Sequence, residues 1–343
     1  MLGAKLAVAS PGEICEAESY SGGAVGSKAI RPPALKAGNR IGLVAPAGPI
    51  LERDDIRRAV ERCQALGYQA VVGENAHAKY GYLAGTDPQR LADLNSALAD
   101  PSLDAIWCLR GGYGTPRLLP RVAYQAVADH PKIVIGFSDL TALLHALAHQ
   151  AGIVTFHGPV AREPLSSFSR DAMLRIVAGT DAAGILPPPP ASDDALVESE
   201  GRVVTLRGGK AEGPLFGGNL TIICHLVGTP YLPPLDGALL FLEEISEDLY
   251  AVDRSLVHLR NAGILERLAG IIIGRFTDLT RATPSGALGF EEVLETHLGA
   301  LGIPVAFGFP IGHIADQWTL PLGVVARLDA DAGYVELLEP AVS

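Results

Sequence analysis

A serine directly behind an apolar run is the first residue of this sequence that could do chemistry. Ser138 lies in the segment 136–139 (Gly-Phe-Ser-Asp), between the apolar residues 133–135 and residues 140–147, which have the composition of a helix. At such a turn the hydroxyl projects from the sheet edge, where free helix N–H groups and the helix dipole stabilise a negative oxygen. Ser138 is therefore a candidate nucleophile. It could instead be a helix cap, because serine is a favoured N-cap residue.

A nucleophilic serine needs a base, and His313 is the histidine in the most site-like setting. It follows a glycine in a loop between an apolar segment and the turn at 320–323, although it could instead satisfy a local turn. His145 and His149 are four residues apart on a predicted helix and could share a metal ion. No glutamate follows His145, so the His-Glu-x-x-His zinc pattern is absent and we expect ordinary helix residues there.

The base in turn needs an orienting group, and two adjacent glutamates are candidates. Glu243 ends a strongly apolar strand, which is a costly place for a carboxylate without a partner. It could instead form a buried salt bridge, for which Arg254 is a candidate partner. Because side chains alternate between the two faces of a strand, only one of Glu243 and Glu244 can point toward Ser138. The sequence leaves open which one does.

A glycine-rich loop, Arg110-Gly-Gly-Tyr-Gly114, follows the apolar run 104–109. Its glycines expose backbone N–H groups that could contact a phosphate or the oxyanion of an acyl-transfer reaction. The loop lacks the pattern Gly-x-Gly-x-x-Gly and the Lys-Ser/Thr pair of a P-loop. Nucleotide binding is therefore only weakly indicated.

The order of secondary structure in the first half predicts how these residues are positioned. Strands and helices alternate along the chain, which favours βαβ units and a parallel sheet with right-handed crossovers. Functional groups in such sheets collect beyond the carboxyl ends of the strands, where both the glycine loop and Ser138 lie. The predicted strands are 40–45, 70–73, 104–109 and 133–135, and the predicted helices are 54–66, 87–98 with Asp87 as its N-cap, and 140–147.

Composition changes near residue 180, where a run of four prolines indicates an extended connector. The predicted regions are a flexible N-terminal extension (1–37), the domain that carries the nucleophile (38–180), a proline-rich linker (181–204) and a second domain that carries Glu243 and His313 (205–343). The second half has the pattern of mixed α and β structure. Its predicted strands are 202–207, 238–242, 270–274 and 334–338, and its predicted helices are 217–227 and 253–268.

The composition is that of an ordinary globular protein and excludes several classes of function. The chain has 343 residues, of which 48% are hydrophobic and 19% charged. This hydrophobic content suffices to form the hydrophobic cores of two domains. The net charge is −11 and the Lys and Arg residues are scattered, so nucleic acid is not expected as a partner. No apolar stretch approaches the ~20 residues of a membrane span, so no membrane partner is expected. The N-terminus is a poor secretory signal, and we therefore expect a cytoplasmic protein.

Several short blocks, taken together, resemble the LD-carboxypeptidase family, whose members are serine peptidases also called muramoyltetrapeptide carboxypeptidases. The resemblance runs from about residue 38 to 330 and keeps the order of the blocks, and no single block would suffice. The blocks are Arg110-Gly-Gly-Tyr-Gly114, Gly136-Phe-Ser-Asp139, His157-Gly-Pro159, Gly217-Gly-Asn-Leu220, Leu242-Glu-Glu244 with Tyr250 and Asp253-Arg254, and Gly312-His313 with Leu320-Pro-Leu-Gly323.

The resemblance implies a catalytic triad of Ser138, Glu243 and His313. It implies an α/β fold with a Rossmann-like, parallel-sheet N-terminal domain, a smaller mixed α+β C-terminal domain and a site in the cleft between them. It further implies a cytoplasmic homodimer that takes murein peptides as substrate. The reaction would remove the terminal D-alanine from the tetrapeptide L-Ala-D-Glu-meso-diaminopimelate-D-Ala. It needs no cofactor and no metal ion.

Three further residues receive roles in this scheme. The amides of Gly112 and Asp139 are candidates for the oxyanion hole, and Arg110 is a candidate for binding the terminal carboxylate of the substrate. A side branch of the family confers immunity to the peptide–nucleotide antibiotic microcin C, and such a conjugate stays open as the substrate. The residues are also compatible with a non-catalytic protein that closes on a small ligand and with a nucleotide-dependent enzyme.

Overall fold

Two β-sheets form the framework of the molecule. In the computed structural model, which describes residues 29–190, 202–279 and 288–343, one sheet has six strands and the other has eight. The strands are β1 (Arg40–Val44), β2 (Gln69–Val72), β3 (Ala105–Cys108), β4 (Ile133–Gly136), β5 (Thr155–His157), β6 (Gly184–Ile185), β7 (Val204–Arg207), β8 (Lys210–Asn219), β9 (Leu239–Ile245), β10 (Gly270–Thr277), β11 (Val305–Phe307), β12 (Leu320–Leu322), β13 (Val325–Asp329) and β14 (Tyr334–Leu337).

Helices separate many of these strands. In the described part of the chain they are α1 (Arg53–Ala65), α2 (Asp87–Ala99), α3 (Tyr124–Asp129), α4 (Thr141–Gln150), α5 (Ser167–Val177), α6 (Leu220–Leu226), α7 (Leu249–Asn261) and α8 (Phe290–Leu298). Within the described ranges, no helix combines the length and the apolar character that crossing a membrane requires.

The six-stranded sheet carries the candidate nucleophile. Its order is β12-β5-β4-β3-β1-β2, and β1 to β5 run parallel to one another, which confirms the predicted parallel sheet. The central strands β1, β3 and β4 are short apolar runs buried along almost their whole length, as expected for a parallel sheet. Because β3 pairs with β4, the glycine loop after β3 and Ser138 after β4 leave the sheet side by side.

The eight-stranded sheet is mixed, in agreement with the predicted character of the second half. Its order is β6-β14-β13-β8-β9-β10-β11-β7. The central strands β8, β9, β10 and β11 run parallel, whereas β7, β13, β14 and β6 pair in antiparallel fashion at the flanks. Glu243 lies near the carboxyl end of β9, within this central parallel part.

Strand β9 separates two hydrophobic cores, and this decides the direction of its glutamates. Leu239 and Phe241 pack in the larger core, which is continuous with the six-stranded sheet, whereas the even-numbered leucines of β9 pack in a second core with α6, α7 and α8. Side chains two residues apart share one face of a strand. Glu243 therefore points toward the six-stranded sheet, and Glu244 points toward the helices.

The segment just before the first sheet is packed, which corrects part of the predicted flexible extension 1–37. Ile30 forms a β-bridge with the segment that precedes β5. Leu35 is buried, and its N–H donates to the last carbonyl of α5 at 2.8 Å. These contacts fix residues 29–37 on the body of the molecule. The remainder of the predicted extension, residues 1–28, lies outside the described residues.

The boundary between the two halves also differs from the predicted linker 181–204. Residues 184–185 form β6 and Val204 begins β7, so both ends of the segment belong to the eight-stranded sheet. Residues 191–201 lie outside the described residues. In addition β12, which comes from the second half of the chain, joins the six-stranded sheet and pairs antiparallel with β5. The two sheets therefore do not divide the chain at one point.

Three helix boundaries differ from the prediction for local reasons. Thr86, not Asp87, caps α2, because its hydroxyl and the side chain of the third helical residue form a capping box. The glycine-rich start of the predicted helix 217–227 is instead the end of β8, and the Asn219 side chain caps α6. Helix α7 begins and ends earlier than the predicted helix 253–268, which ran into a turn and a short 3-10 segment.

Candidate active site

Ser138 occupies a strained turn between β4 and α4. A short 3-10 segment, Ser138–Leu140, precedes α4, and the φ angle of Ser138 is 64°, in the left-handed region that residues other than glycine rarely adopt. Such a conformation costs about 1–2 kcal/mol and persists only where the surroundings enforce it. Because Asp139 lies in the first turn of this segment, its N–H has no acceptor within the helix.

The glycine loop lies directly against Ser138. A Cβ atom added to Gly111 would lie 2.9 Å from the Ser138 Cβ and 3.1 Å from its Oγ, so there is no room for a side chain. The Gly111 carbonyl accepts from the Gly48 N–H at 2.9 Å, which holds the loop in place. Gly112 is exposed and has a φ of 109°, which glycine adopts readily. Asp139 follows Ser138 in the chain and Gly112 follows Gly111, which contacts Ser138, and the assignment of their amides to the oxyanion hole stays a prediction.

Glu243 and His313 form a hydrogen-bonded pair. Nδ1 of His313 is 2.8 Å from Oε2 of Glu243, whose side chain has 0% exposure, while 17% of the His313 side chain is exposed. A carboxylate only accepts hydrogen bonds, so Nδ1 carries a proton, and in the neutral imidazole Nε2 then keeps a free lone pair. The close approach requires a glycine at 312, because a Cβ there would lie 2.9 Å from Oε2 of Glu243.

The His313 imidazole packs against the residue that precedes Ser138. The rings of His313 and Phe137 have their centroids 4.7 Å apart, and sequence reasoning had not singled out Phe137. Among the described residues, no hydrogen bond joins His313 to the Ser138 hydroxyl. Catalytic hydrogen bonds are often long in enzymes without substrate and tighten when it binds. The structure thus brings the candidate base to the nucleophile turn.

Burial and mutual contact shift the pKa values of this pair. Burial alone lowers the pKa of His313, but the hydrogen bond and the charge of Glu243, together with the charges of Glu163 and Glu244, outweigh it and raise the pKa above 6.5. Burial raises the pKa of Glu243, and the contact with His313 offsets this only in part. The carboxylate therefore stabilises the protonated imidazole, which is what a base that takes up a proton during the reaction requires.

Glu244 faces away from His313 and binds the start of α6. Its Oε1 accepts from the Asn219 side-chain amide at 2.7 Å, and its Oε2 accepts from the Thr221 N–H at 2.9 Å. A carboxylate at a helix N-terminus satisfies backbone N–H groups that have no partner within the helix. The sequence left open which of the two glutamates faces His313. In the structure Glu243 does, because Glu243 and Glu244 lie on opposite faces of β9.

The two arginines predicted to have roles contact other groups in the described part of the chain. Arg254 was the candidate salt-bridge partner of the buried glutamate, but its guanidinium carbon lies 5.6 Å from the centroid of the Tyr250 ring. Arg110 is half-buried and donates from Nη1 to the Pro49 carbonyl at 2.6 Å. Burial and the nearby charge of Arg162 lower the pKa of Arg110. Its assignment to the substrate carboxylate stays a prediction.

The side chain of Asp139 ties the nucleophile turn to the glycine loop. It is buried, and its Oδ2 accepts from the Thr115 N–H at 2.8 Å and from the Thr115 hydroxyl. Burial raises the pKa of Asp139, and the bonds from Thr115 oppose this rise. The carboxylate therefore fixes the position of the loop relative to Ser138. The sequence indicated Asp139 as a site residue but not Thr115, because nothing in the sequence around Thr115 distinguishes it from other loop residues.

Arg90 holds the same loop from the other side. Its buried guanidinium donates to the Gly114 carbonyl at 3.0 Å, to the Pro46 carbonyl and to the Asp87 carboxylate at 2.6 Å. A buried cation needs such partners, because an unpaired charge in the interior is costly. Two of these partners are backbone carbonyls of distant loops, so no pattern in the sequence could have indicated this role.

Two other histidines near the site are buried and neutral. Burial lowers the pKa of His145 to about 4 and that of His157 to about 3. Nε2 of His145 is 2.8 Å from the Gly217 carbonyl, so this residue packs between α4 and β8 as an ordinary core histidine. In residues 29–190, 202–279 and 288–343, no group of three or more His, Cys, Asp and Glu residues is arranged to hold a metal ion.

Comparison with known proteins identifies the family of the chain. The profile of the LD-carboxypeptidase N-terminal domain matches residues 41–158, and that of the LD-carboxypeptidase C-terminal domain matches residues 212–328. The chain is 35% identical over 300 residues to the murein tetrapeptide carboxypeptidase of Pseudomonas aeruginosa, which covers 85% of this chain and 94% of that protein.

Two solved structures share the fold over most of their length. The microcin C7 self-immunity protein MccF, in complex with aspartyl sulfamoyl adenosine, superposes with a TM-score of 0.82 at 28% identity, over 92% of this chain and 100% of that chain. The muramoyltetrapeptide carboxypeptidase from Oxalobacter formigenes superposes with a TM-score of 0.73 at 29% identity, over 87% of this chain and 98% of that chain. With both domain profiles matched in order and relatives this similar over nearly their full length, the chain belongs to the LD-carboxypeptidase family.

Proposed function

We propose that the protein is a serine carboxypeptidase that removes the terminal D-alanine of murein tetrapeptides. Ser138 acts as the nucleophile, His313 as the base and Glu243 as the group that orients the base. One observation carries this proposal, the 2.8 Å hydrogen bond between a buried carboxylate and an imidazole that packs against the residue preceding Ser138. The murein tetrapeptide carboxypeptidase among the relatives supports the substrate class.

The reaction proceeds through an acyl-enzyme. Nε2 of His313 accepts the Ser138 proton as Oγ attacks the scissile carbonyl carbon, whose double-bond electrons move onto the oxygen. The N–H groups of Asp139 and Gly112 donate to this oxyanion, and each such donor lowers the barrier by about 3 kcal/mol in comparable enzymes. When the C–N bond breaks, His313 gives its proton to the departing amine of D-alanine. Water, deprotonated in the same way, then hydrolyses the ester.

A carboxypeptidase must also bind the free carboxylate of its substrate. We assign this role to Arg110, which adjoins the glycine loop. A guanidinium has five N–H donors, and the bond to Pro49 uses one of them. From the family resemblance we also propose that the protein acts in the cytoplasm as a homodimer, on murein peptides that are being recycled.

A second candidate function is hydrolysis of a peptide–nucleotide conjugate. The likeness to MccF, solved with aspartyl sulfamoyl adenosine, favours it. The same serine, histidine and glutamate would carry out this reaction on a different acyl group and a different leaving group. The two functions are therefore separated by the substrate that is cleaved and not by the catalytic residues.

Mass spectrometry of the murein tetrapeptide incubated with the protein tests the proposal. We expect the wild type to release one D-alanine and Ser138→Ala to release none, because only the former has the attacking hydroxyl. A peptide–nucleotide conjugate is incubated in parallel. Cleavage of the conjugate alone would favour the second candidate, and cleavage of neither compound would contradict both and favour a non-catalytic binding protein.

The pH dependence of kcat/KM reports on His313, because only the neutral imidazole can accept the serine proton. The pKa of His313 is raised above 6.5 by Glu243, so activity should fall as the pH drops through this raised value. We expect an acid limb with its midpoint above pH 6.5 in the profile of the free enzyme. A midpoint below that value would mean that Glu243 does not stabilise the imidazolium in solution.

A further inference from the structure

Two exposed tyrosines lie beside the candidate active site. Tyr82 and Tyr113 are 67% and 49% exposed, and their rings meet edge to face with centroids 5.5 Å apart and planes at 65°. Adjacent exposed aromatic rings next to a site are typical of ligand-binding surfaces. We infer that these two residues, here called the tyrosine pair, bind the sugar ring of a muramyl peptide, an inference that rests on the proposed function.

The position of the tyrosine pair suits the end of the substrate farthest from the cleaved bond. Tyr113 is two residues from Gly111, which lies against Ser138, so the Cα atoms of Tyr113 and Gly111 are at most about 7 Å apart. The three residues on the amino side of the scissile bond span about 10 Å when extended. A sugar attached to the first residue of the peptide therefore comes within reach of the pair.

The two loops that carry the tyrosine pair are held together beneath it. Leu83 is buried and packs against Gly114, where an added Cβ would lie 2.5 Å from the Leu83 Cδ2. The Ala84 N–H donates to the Ala47 carbonyl at 2.9 Å, which fixes the first loop to the segment after β1. The backbone that carries the two rings is therefore held in place before any ligand binds. Little conformational entropy is lost when a ligand binds to such a surface.

The chemistry of the tyrosine pair favours a pyranose ring over the peptide. A tyrosine offers an apolar ring and one hydroxyl, which matches the C–H faces and the hydroxyl groups of a sugar. The proposed stem peptide carries alanine and charged side chains, with no large apolar group. Arg117 interacts with the Tyr113 side chain, but its charge is compensated by the Asp87 carboxylate, which it binds at 2.8 and 3.0 Å. The pair is therefore a neutral surface and a poor site for the carboxylates of the peptide.

The test compares the murein tetrapeptide with the same peptide attached to N-acetylmuramic acid. We expect Tyr82→Ala and Tyr113→Ala each to lower the ratio of kcat/KM, sugar-bearing over free peptide, by about tenfold, which corresponds to about 1.4 kcal/mol. Tyr80→Ala is the matched control, because Tyr80 lies in the same loop as Tyr82, is 63% exposed and makes no ring contact among the described residues. An unchanged ratio in Tyr82→Ala, or an equal loss in Tyr80→Ala, would overturn the inference.

A binding measurement separates this inference from the proposed function. Calorimetric titration of the Ser138→Ala protein with both compounds requires no hydrolysis. We expect the sugar-bearing peptide to bind more tightly than the free peptide, and the difference to vanish when Tyr82→Ala is added. If the wild type hydrolyses neither compound, the proposed function fails while the titration still decides the inference. Equal affinities for the two compounds would overturn it.

Discussion

Replacement of Ser138 by alanine is expected to lower kcat for D-alanine release by about 10⁵-fold, because the attacking oxygen is lost while the rest of the site remains. The residual rate would come from the oxyanion donors and from substrate binding. Release of D-alanine, measured by mass spectrometry or a coupled amino-acid oxidase assay, gives the rate. A folded Ser138→Ala protein with nearly the wild-type rate would show that Ser138 is not the nucleophile.

Ser138→Gly is the matched variant that separates catalysis from backbone strain. Its activity should be lost to the same extent, because it also lacks the hydroxyl. The φ of 64° suits glycine and not alanine, so Ser138→Gly should be more stable than Ser138→Ala by about 1 kcal/mol. Thermal melting of the two variants measures this difference. Equal stabilities would mean that the turn relaxes when the serine is replaced.

Replacement of Glu243 by glutamine is expected to lower kcat by about 10³–10⁴-fold, because the amide no longer fixes the imidazole tautomer or stabilises its protonated form. A second readout follows from the pKa of His313, which Glu243 raises through its hydrogen bond and charge. Without that carboxylate the pKa should fall, so the acid limb of the kcat/KM profile should move to lower pH. A merely structural role of Glu243 would lower activity without this shift.

Glu244→Gln is the matched control for this experiment. It makes the same chemical change one residue along β9, on the opposite face of the strand. Glu244 binds Asn219 and the start of α6, so we expect a loss of about 1–3 kcal/mol in stability with kcat near that of the wild type. A large loss of kcat in Glu244→Gln with an active Glu243→Gln would reverse the assignment of the two glutamates.

The buried strands could be predicted from the sequence, but the directions of their side chains could not. Strands β3 and β4 are uninterrupted apolar runs, as is β1 after Arg40, and Ser138 is recognisable because it follows β4. The residues before Glu243 in β9 are all apolar, since this strand is buried on both faces and shows no alternation. Only the packing of Phe241 and its neighbours into two separate cores decides the direction of Glu243.

Contacts between distant parts of the chain had no local signal. Strand β8 was missed because its glycines and charged residues are unusual in a strand, and its last three residues were assigned to a helix. Glycine in a strand often marks a close approach of another segment. A Cβ on Gly218 would lie 2.6 Å from Thr141, at the start of α4 behind Ser138. The role of Arg90 was hidden for the same reason, because its partners are carbonyls of remote loops.

The placement of β12 bears on how the protein can be made. The sheet with the nucleophile acquires its outermost strand only after residue 322 has left the ribosome. Until then β5 is an open edge whose unpaired backbone groups can recruit a strand from another nascent chain. Pro321 within β12 lacks an N–H, so the completed edge is a poorer template for such pairing. Fragments cut between the two domain profiles should therefore aggregate when expressed alone and regain solubility only when co-expressed.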